Sequence, residues 1–218
     1  MKQLTTYNRA AGYLNTIFDL LNDRYFESAL SRPVITIQST PKAYGHYTLY
    51  DAWSLDGDKG MREINLGAGT LSRPIENVVA TLLHEMVHYC NDQNGIKDCS
   101  RGNTYHNRKF KALAEACDLH IDHHPTYGWS ITSPTDALVE FCLENGLTEI
   151  RLCRNDFSAS PIPGTGTHAG TGTGVSGGKK PSSTRKYICP CCGLSVRATR
   201  EVHVGCLDCN EPLILAAA

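Results

Sequence analysis

The sequence predicts a mixed α+β fold: helices packed on one small sheet, followed by a much smaller appended unit. Three observations carry this. Apolar residues recur at helical spacing in several segments, short β-like runs cluster after the first of them, and a glycine-rich stretch isolates a cysteine-dense tail.

The first helix is marked by Leu14, Ile17, Phe18, Leu21 and Tyr25, which share one face. Strand-like runs follow at 34–38 (VITIQ), 43–53 (AYGHYTLYDAW) and 62–67 (REINLG), with DGDKG as a turn between the last two. A second helix opens with Pro74 in its first turn, where a missing N–H costs nothing. Further helices are expected over about 105–117 and 134–145, the latter ending at Gly146. TEIRLC (148–153) reads as a last strand. Residues 158–184 hold seven glycines and three prolines with almost nothing large and apolar, the composition of a flexible linker. His168 stands alone in it and reads as solvated. The expected division is therefore a domain over 1–157, a linker over 158–184 and a small unit over 185–218.

At 218 residues there is room for one fair-sized domain plus such an appendage. The net charge of −1 gives no global pull toward nucleic acid. From Lys179 onward, however, six basic residues meet three acidic ones, so the tail is net +3 and the rest −4. The first residues lack the pattern of a secretory signal, and no run approaches the ~18 apolar residues of a membrane helix. Five of the ten cysteines fall within residues 189–209. Metal binding in a reduced, cytosolic chain is the better expectation than a disulfide framework.

The chemistry concentrates in HEMVH, residues 84–88. At about 100° per residue, Asn77, Thr81, His84, His88 and Asn91 form one polar stripe, with Val78, Val79, Leu82, Met86 and Val87 as buried flanks. Two imidazoles one turn apart can bind one zinc, and Glu85, one residue round, is placed to take a proton rather than to ligate. The bland alternative is a helix with two surface histidines. A catalytic zinc needs a third protein ligand. His106 is the best candidate, since it lies four residues before Phe110 and would share that helix's inward face. Glu115, the rival, lies nine residues on and would point outward, toward Lys111. His120, His123 and His124 fall in a loop-like stretch and read as solvated or structural.

HEMVH, then HNRKF, then GWSIT resemble the SprT-like family of zinc metalloproteases, which includes the Spartan proteases. The tail KYICPCCGLSVRATREVHVGCLDCNEPLIL is similar to the zinc ribbon of many bacterial and phage members. The resemblance implies a zincin-like domain, His84, His88 and His106 as ligands of a catalytic zinc, and Glu85 as base. Asn107 stands where the family often has glycine after the third histidine. No His-x-x-Gly-x-x-His continuation follows HEMVH, which excludes the metzincin class. His46, Tyr127 and Trp129 are candidate oxyanion donors, with core packing the alternative for Trp129. Asn91 and Asp92 are candidates for orienting the histidines.

In the tail, Cys189, Cys192, Cys206 and Cys209 form two Cys-x-x-Cys pairs 13 residues apart, the signature of a closed structural zinc site in a segment too small to fold alone. Cys191, between paired cysteines, reads as a free thiol. Arg185, Lys186, Arg197 and Arg200 suit a nucleic-acid backbone. The expected function is a two-zinc protease cutting proteins bound or crosslinked to DNA, with no membrane partner, in the cytoplasm or at the nucleoid. A regulatory peptidase cutting one partner protein is the second reading, and a non-catalytic ribbon adaptor the third.

Overall fold

The computed structural model describes residues 4–40, 43–55, 59–155, 185–198 and 201–216. The chain divides into two compact units, Met1–Gly172 and Thr173–Ala218. The expected linker, His168 and Arg200 lie outside the described residues.

In the first unit, helix α1 (Tyr7–Phe26) buries Ala10, Leu14, Ile17, Phe18 and Leu21 along one face, as the periodicity predicts. It starts seven residues before Leu14 because Ala10 extends the same face by a turn. Strand β1 (Val34–Gln38) pairs in parallel with β5 (Glu63–Gly67), and β2 (Gly45–Tyr47) pairs antiparallel with the other side of β5. All five residues of β5 are buried, as a central strand requires. The single run expected at 43–53 is broken: β2 ends at Tyr47, and Trp53 begins β3 (Trp53–Leu55), which pairs with β4 (Lys59–Met61). The first three residues of the DGDKG turn lie outside the described residues.

Helix α2 (Ile75–Gln93) follows a 3-10 turn at Ala68–Thr70. Pro74 precedes it in an extended conformation, one step outside the helix rather than inside its first turn. Nearly every residue from Val78 to Tyr89 is buried, so this helix runs through the core. A second sheet, in the order β6-β7-β9-β8, packs against it. It comprises β6 (Cys99–Ser100), β7 (Tyr105–His106), β8 (Leu119–His124) and β9 (Gly128–Pro134). The loop-like stretch at 119–124 is thus a strand: Leu119 and Ile121 point inward while His120 and Asp122 face solvent.

Two more expectations need correction. Helix α3 spans Arg108–Ala116, not 105–117, because the Asn107 side chain accepts from the N–H groups of Lys109 (2.7 Å) and Phe110 (3.4 Å) and caps the helix there. Tyr105 and His106 are strand residues. TEIRLC pairs with no strand among the described residues; Arg151 N–H donates to Leu4 and Arg154 N–H to Ala68 instead. Helix α4 (Asp136–Glu144), capped by Thr135, forms where expected.

The second unit has a sheet in the order β11-β10-β14 and a small β12-β13 ribbon. Its strands are β10 (Arg185–Ile188), β11 (Ser195–Ala198), β12 (Gly205–Cys206), β13 (Glu211–Pro212) and β14 (Ile214–Leu215). Among the described residues its core is Tyr187, Cys189, Cys206 and Leu213, with partly buried neighbours. So small a core needs a staple.

Strand β9 meets β7 at Gly128, whose φ is +72° and whose Cβ, if present, would stand 2.2 Å from the His106 carbonyl oxygen. Only glycine fits there. Gly128→Ala should therefore lose about 1–3 kcal/mol of stability, read as a lower urea midpoint; an unchanged midpoint would contradict this placement.

Candidate metal centre

Helix α2 presents His84 and His88 one turn apart, and β7 brings His106 across from the second sheet. All three are at most 4 % exposed. Their Nε2 atoms form a triangle with sides of 3.3 Å (84–88), 3.3 Å (84–106) and 3.1 Å (88–106). Nitrogens at ~2.0 Å from a tetrahedral ion would stand roughly 3.3 Å apart, so the triangle has the size zinc requires.

The opposite ring nitrogens decide what those Nε2 atoms carry. His88 Nδ1 lies 2.7 Å from Asp98 Oδ2, and His106 Nδ1 lies 3.2 Å from the Tyr127 carbonyl. Both oxygens only accept, so each Nδ1 holds the proton and each Nε2 offers a lone pair. His84 Nδ1 lies 2.7 Å from the Thr132 hydroxyl. Phe110, fully buried, sits with its ring centroid 4.5–4.8 Å from all three imidazoles and gives them an apolar floor. The Thr132 hydroxyl donates to the Ser130 carbonyl at 3.5 Å and so accepts from His84 Nδ1, leaving a lone pair on that Nε2 too. Three lone pairs converging in an apolar pocket repel one another unless a cation lies between them.

Glu85 is 2 % exposed and is not one of the convergent ligands. Burial, with the Asp98 charge adding to it, pushes its carboxyl up to about 8, and the Tyr47 backbone N–H works the other way. A divalent cation beside it would favour the carboxylate.

The structure brings together the three predicted histidines and reaches His106 by a different route. Its side chain enters from a strand, so the helical-face argument for it does not apply. Glu115 does point outward and pairs with Lys111 at 3.4 Å. Asp98 is the residue that sequence reasoning missed; it lies in the connection after α2, with no periodic relation to His88. Asn91 acts through it, donating to Asp98 at 3.0 Å. Asp92 turns elsewhere, accepting from the Tyr47 hydroxyl (2.6 Å) and pairing with Arg62 (3.2 Å). His88, Asp98 and Cys99 also converge, but the His88–Asp98 distance is that of a hydrogen bond, and burial pushes the Cys99 thiol up.

Among the oxyanion candidates, Tyr127 offers His106 its carbonyl, an acceptor rather than an oxyanion donor, and Trp129 lies under the Lys111 ammonium, 3.8 Å from the ring centroid. His46 rests 3.4 Å from Asn65, with its pKa lowered by burial. His120 faces Asp122, His123 faces Tyr105, and His124 accepts from the turn at Thr126 and Tyr127.

In the second unit, the ligand atoms of Cys189, Cys192, Cys206 and Cys209 all lie within 4.8 Å of one another. Cys192 and Cys206 sulfurs are 3.7 Å apart, close to the roughly 3.8 Å expected for thiolates at ~2.3 Å from zinc. The Cys192 backbone N–H leads the contacts that pull the Cys189 thiol down to about 7. Cys191 is exposed and outside the cluster. Both clusters are consistent with zinc. Lys186 and Arg197 stand opposite each other on exposed positions of β10 and β11, and Arg185 pairs with Ala198.

The family model for the SprT-like family matches residues 14–128, more than half of the chain, including all three histidines and Glu85. The chain belongs to the SprT-like family. The match ends before the cysteine-rich unit. No curated protein and no solved structure matches the chain. No helix among the described residues is long and apolar enough to cross a membrane.

Asp98→Asn should weaken metal retention in the first unit by about 10–100-fold, because His88 loses its carboxylate partner. Asp92→Asn should leave retention alone. Zinc release to a competing chelator separates the two; equal effects would remove Asp98 from its assigned role.

Proposed function

We propose that this chain is a zinc-dependent endopeptidase that cuts proteins bound or crosslinked to DNA. The observation that carries the peptidase reading is the Nε2 triangle of His84, His88 and His106 with the buried Glu85 beside it. Zinc held there supplies Lewis-acid polarisation of a peptide carbonyl and brings the pKa of a water down toward ~7. Glu85 takes the proton from the attacking water and delivers it to the leaving amine. The Asp98, Tyr127 and Thr132 partners hold the three rings in register throughout.

A non-catalytic adaptor is disfavoured by Glu85 itself. Burying a carboxyl that ligates nothing costs stability, and a purely structural metal gains nothing from it.

The DNA-directed part rests on the basic second unit. Like charges directly opposite on neighbouring strands, as at Lys186 and Arg197, are unfavourable unless an anion lies between them. Backbone phosphates suit that pair, with Arg185 and Arg200 beside it in sequence. In this reading residues 1–157 are the protease, 158–184 a flexible tether and 185–218 a zinc ribbon held by its four cysteines, working in the cytoplasm or at the nucleoid.

Cleavage of a DNA-bound protein, assayed with and without DNA, tests the reading. Glu85→Gln should lower the rate on the order of 10²–10⁴-fold or more with zinc content unchanged. Retained turnover in the variant would remove Glu85 from the mechanism, and turnover indifferent to DNA would favour a peptidase dedicated to one partner protein.

A further inference from the structure

Arg73 lies in the turn just before α2, and no carboxylate pairs with it among the described residues. Its Nε–H donates to the Thr70 carbonyl at 2.8 Å and an Nη2–H donates to Thr81 Oγ1 at 2.9 Å. Its guanidinium carbon stands 3.9 Å from the centroid of the Tyr44 ring. A guanidinium has five N–H groups. Two are used by described residues, and the other three, without a described partner, are enough for a two-pronged bond to a carboxylate. Burial lowers the Arg73 pKa to about 10, and only Tyr44 opposes that shift. A half-buried cation without a counter-ion is costly to hold.

Its position gives that cost a purpose. Thr81, which Arg73 holds, is one helical turn before Glu85. Thr81 Cγ2 and Glu85 Oε1 flank the same point, 3.1 and 3.3 Å from where a Cβ on Gly45 would stand. Tyr44, on which the guanidinium stacks, immediately precedes Gly45. Strand β2 is the edge of its sheet, so Arg73 sits beside one end of an edge strand that borders Glu85 and gives it the Tyr47 N–H.

We propose that Arg73, stacked on Tyr44 and tied to Thr81, forms a subsite that takes an aspartate or glutamate side chain of the peptide substrate. The proposal rests on the peptidase reading for its choice of ligand. A lone guanidinium with one face on an aromatic ring fits a planar carboxylate in two-pronged fashion. Among the described residues no second cation touches it, as a phosphate-binding cluster would require. If Arg73 only tied the turn to α2, its loss would weaken all peptides alike.

The test uses the full chain carrying Glu85→Gln, so that binding is read without cleavage. Two unstructured peptides are compared, identical except that one carries Asp and Glu where the other carries Asn and Gln. The acidic peptide should bind tighter by about 10-fold, the scale of a charge-assisted pair. Arg73→Gln should erase that ratio, and Arg73→Lys should keep part of it, with zinc content unchanged in both. Equal affinities for the two peptides, or a ratio that survives Arg73→Gln, would overturn the subsite. Displacement of the acidic peptide by inorganic phosphate through Arg73 would also overturn it, in favour of a phosphate site. If the binding ratio holds but the unmodified chain cuts neither peptide, the subsite stands and the peptidase reading falls.

Discussion

Three imidazole nitrogens held 3.1–3.3 Å apart in a buried, apolar pocket are the constraint around which the first unit is organised. Left alone, such an arrangement would relax by ring rotation or protonation. Here rotation is opposed at every ring, because each Nδ1 faces a fixed oxygen and Phe110 packs beneath all three. The arrangement has the size and the orientation that a cation requires.

The fold supplies those anchors from separate places. Helix α2, buried nearly all round, fixes His84 and His88 as a rigid pair. The second sheet then does three things at once. Strand β7 carries His106, β9 carries Thr132 to His84, and the Tyr127 carbonyl just before β9 holds His106. Asp98, just before β6, holds His88. The first sheet contributes from the other side: β2 places the Tyr47 N–H against Glu85, while the Tyr47 hydroxyl is tied to Asp92 and through it to Arg62. The three histidines and Glu85 are thus oriented by different sheets.

What the sequence reveals follows the range of the interaction involved. HEMVH is legible because helical spacing is local, and so are the four clustered cysteines of the tail, whose pairs are three residues apart. β1 and β5 are legible as short runs in which Val or Ile and Leu alternate with other residues. His106 was reached, but through a helical face that it does not occupy; the Asn107 cap moves the helix start past it. Asp98 was not legible, since its relation to His88 depends on a non-periodic connection folding back along α2. β8 was hidden by composition: three histidines and an aspartate mask an inward alternation of Leu119 and Ile121. TEIRLC shows the opposite error, strand-like composition with no ladder to join among the described residues.

Zinc content is the most direct measurement of the central claim. Elemental analysis of the purified full chain should find two zinc ions, and the double variant His84→Ala/His106→Ala should hold one, kept by the four cysteines. A single zinc in the unaltered chain, or two still present in the double variant, would contradict the histidine site from which the account is built.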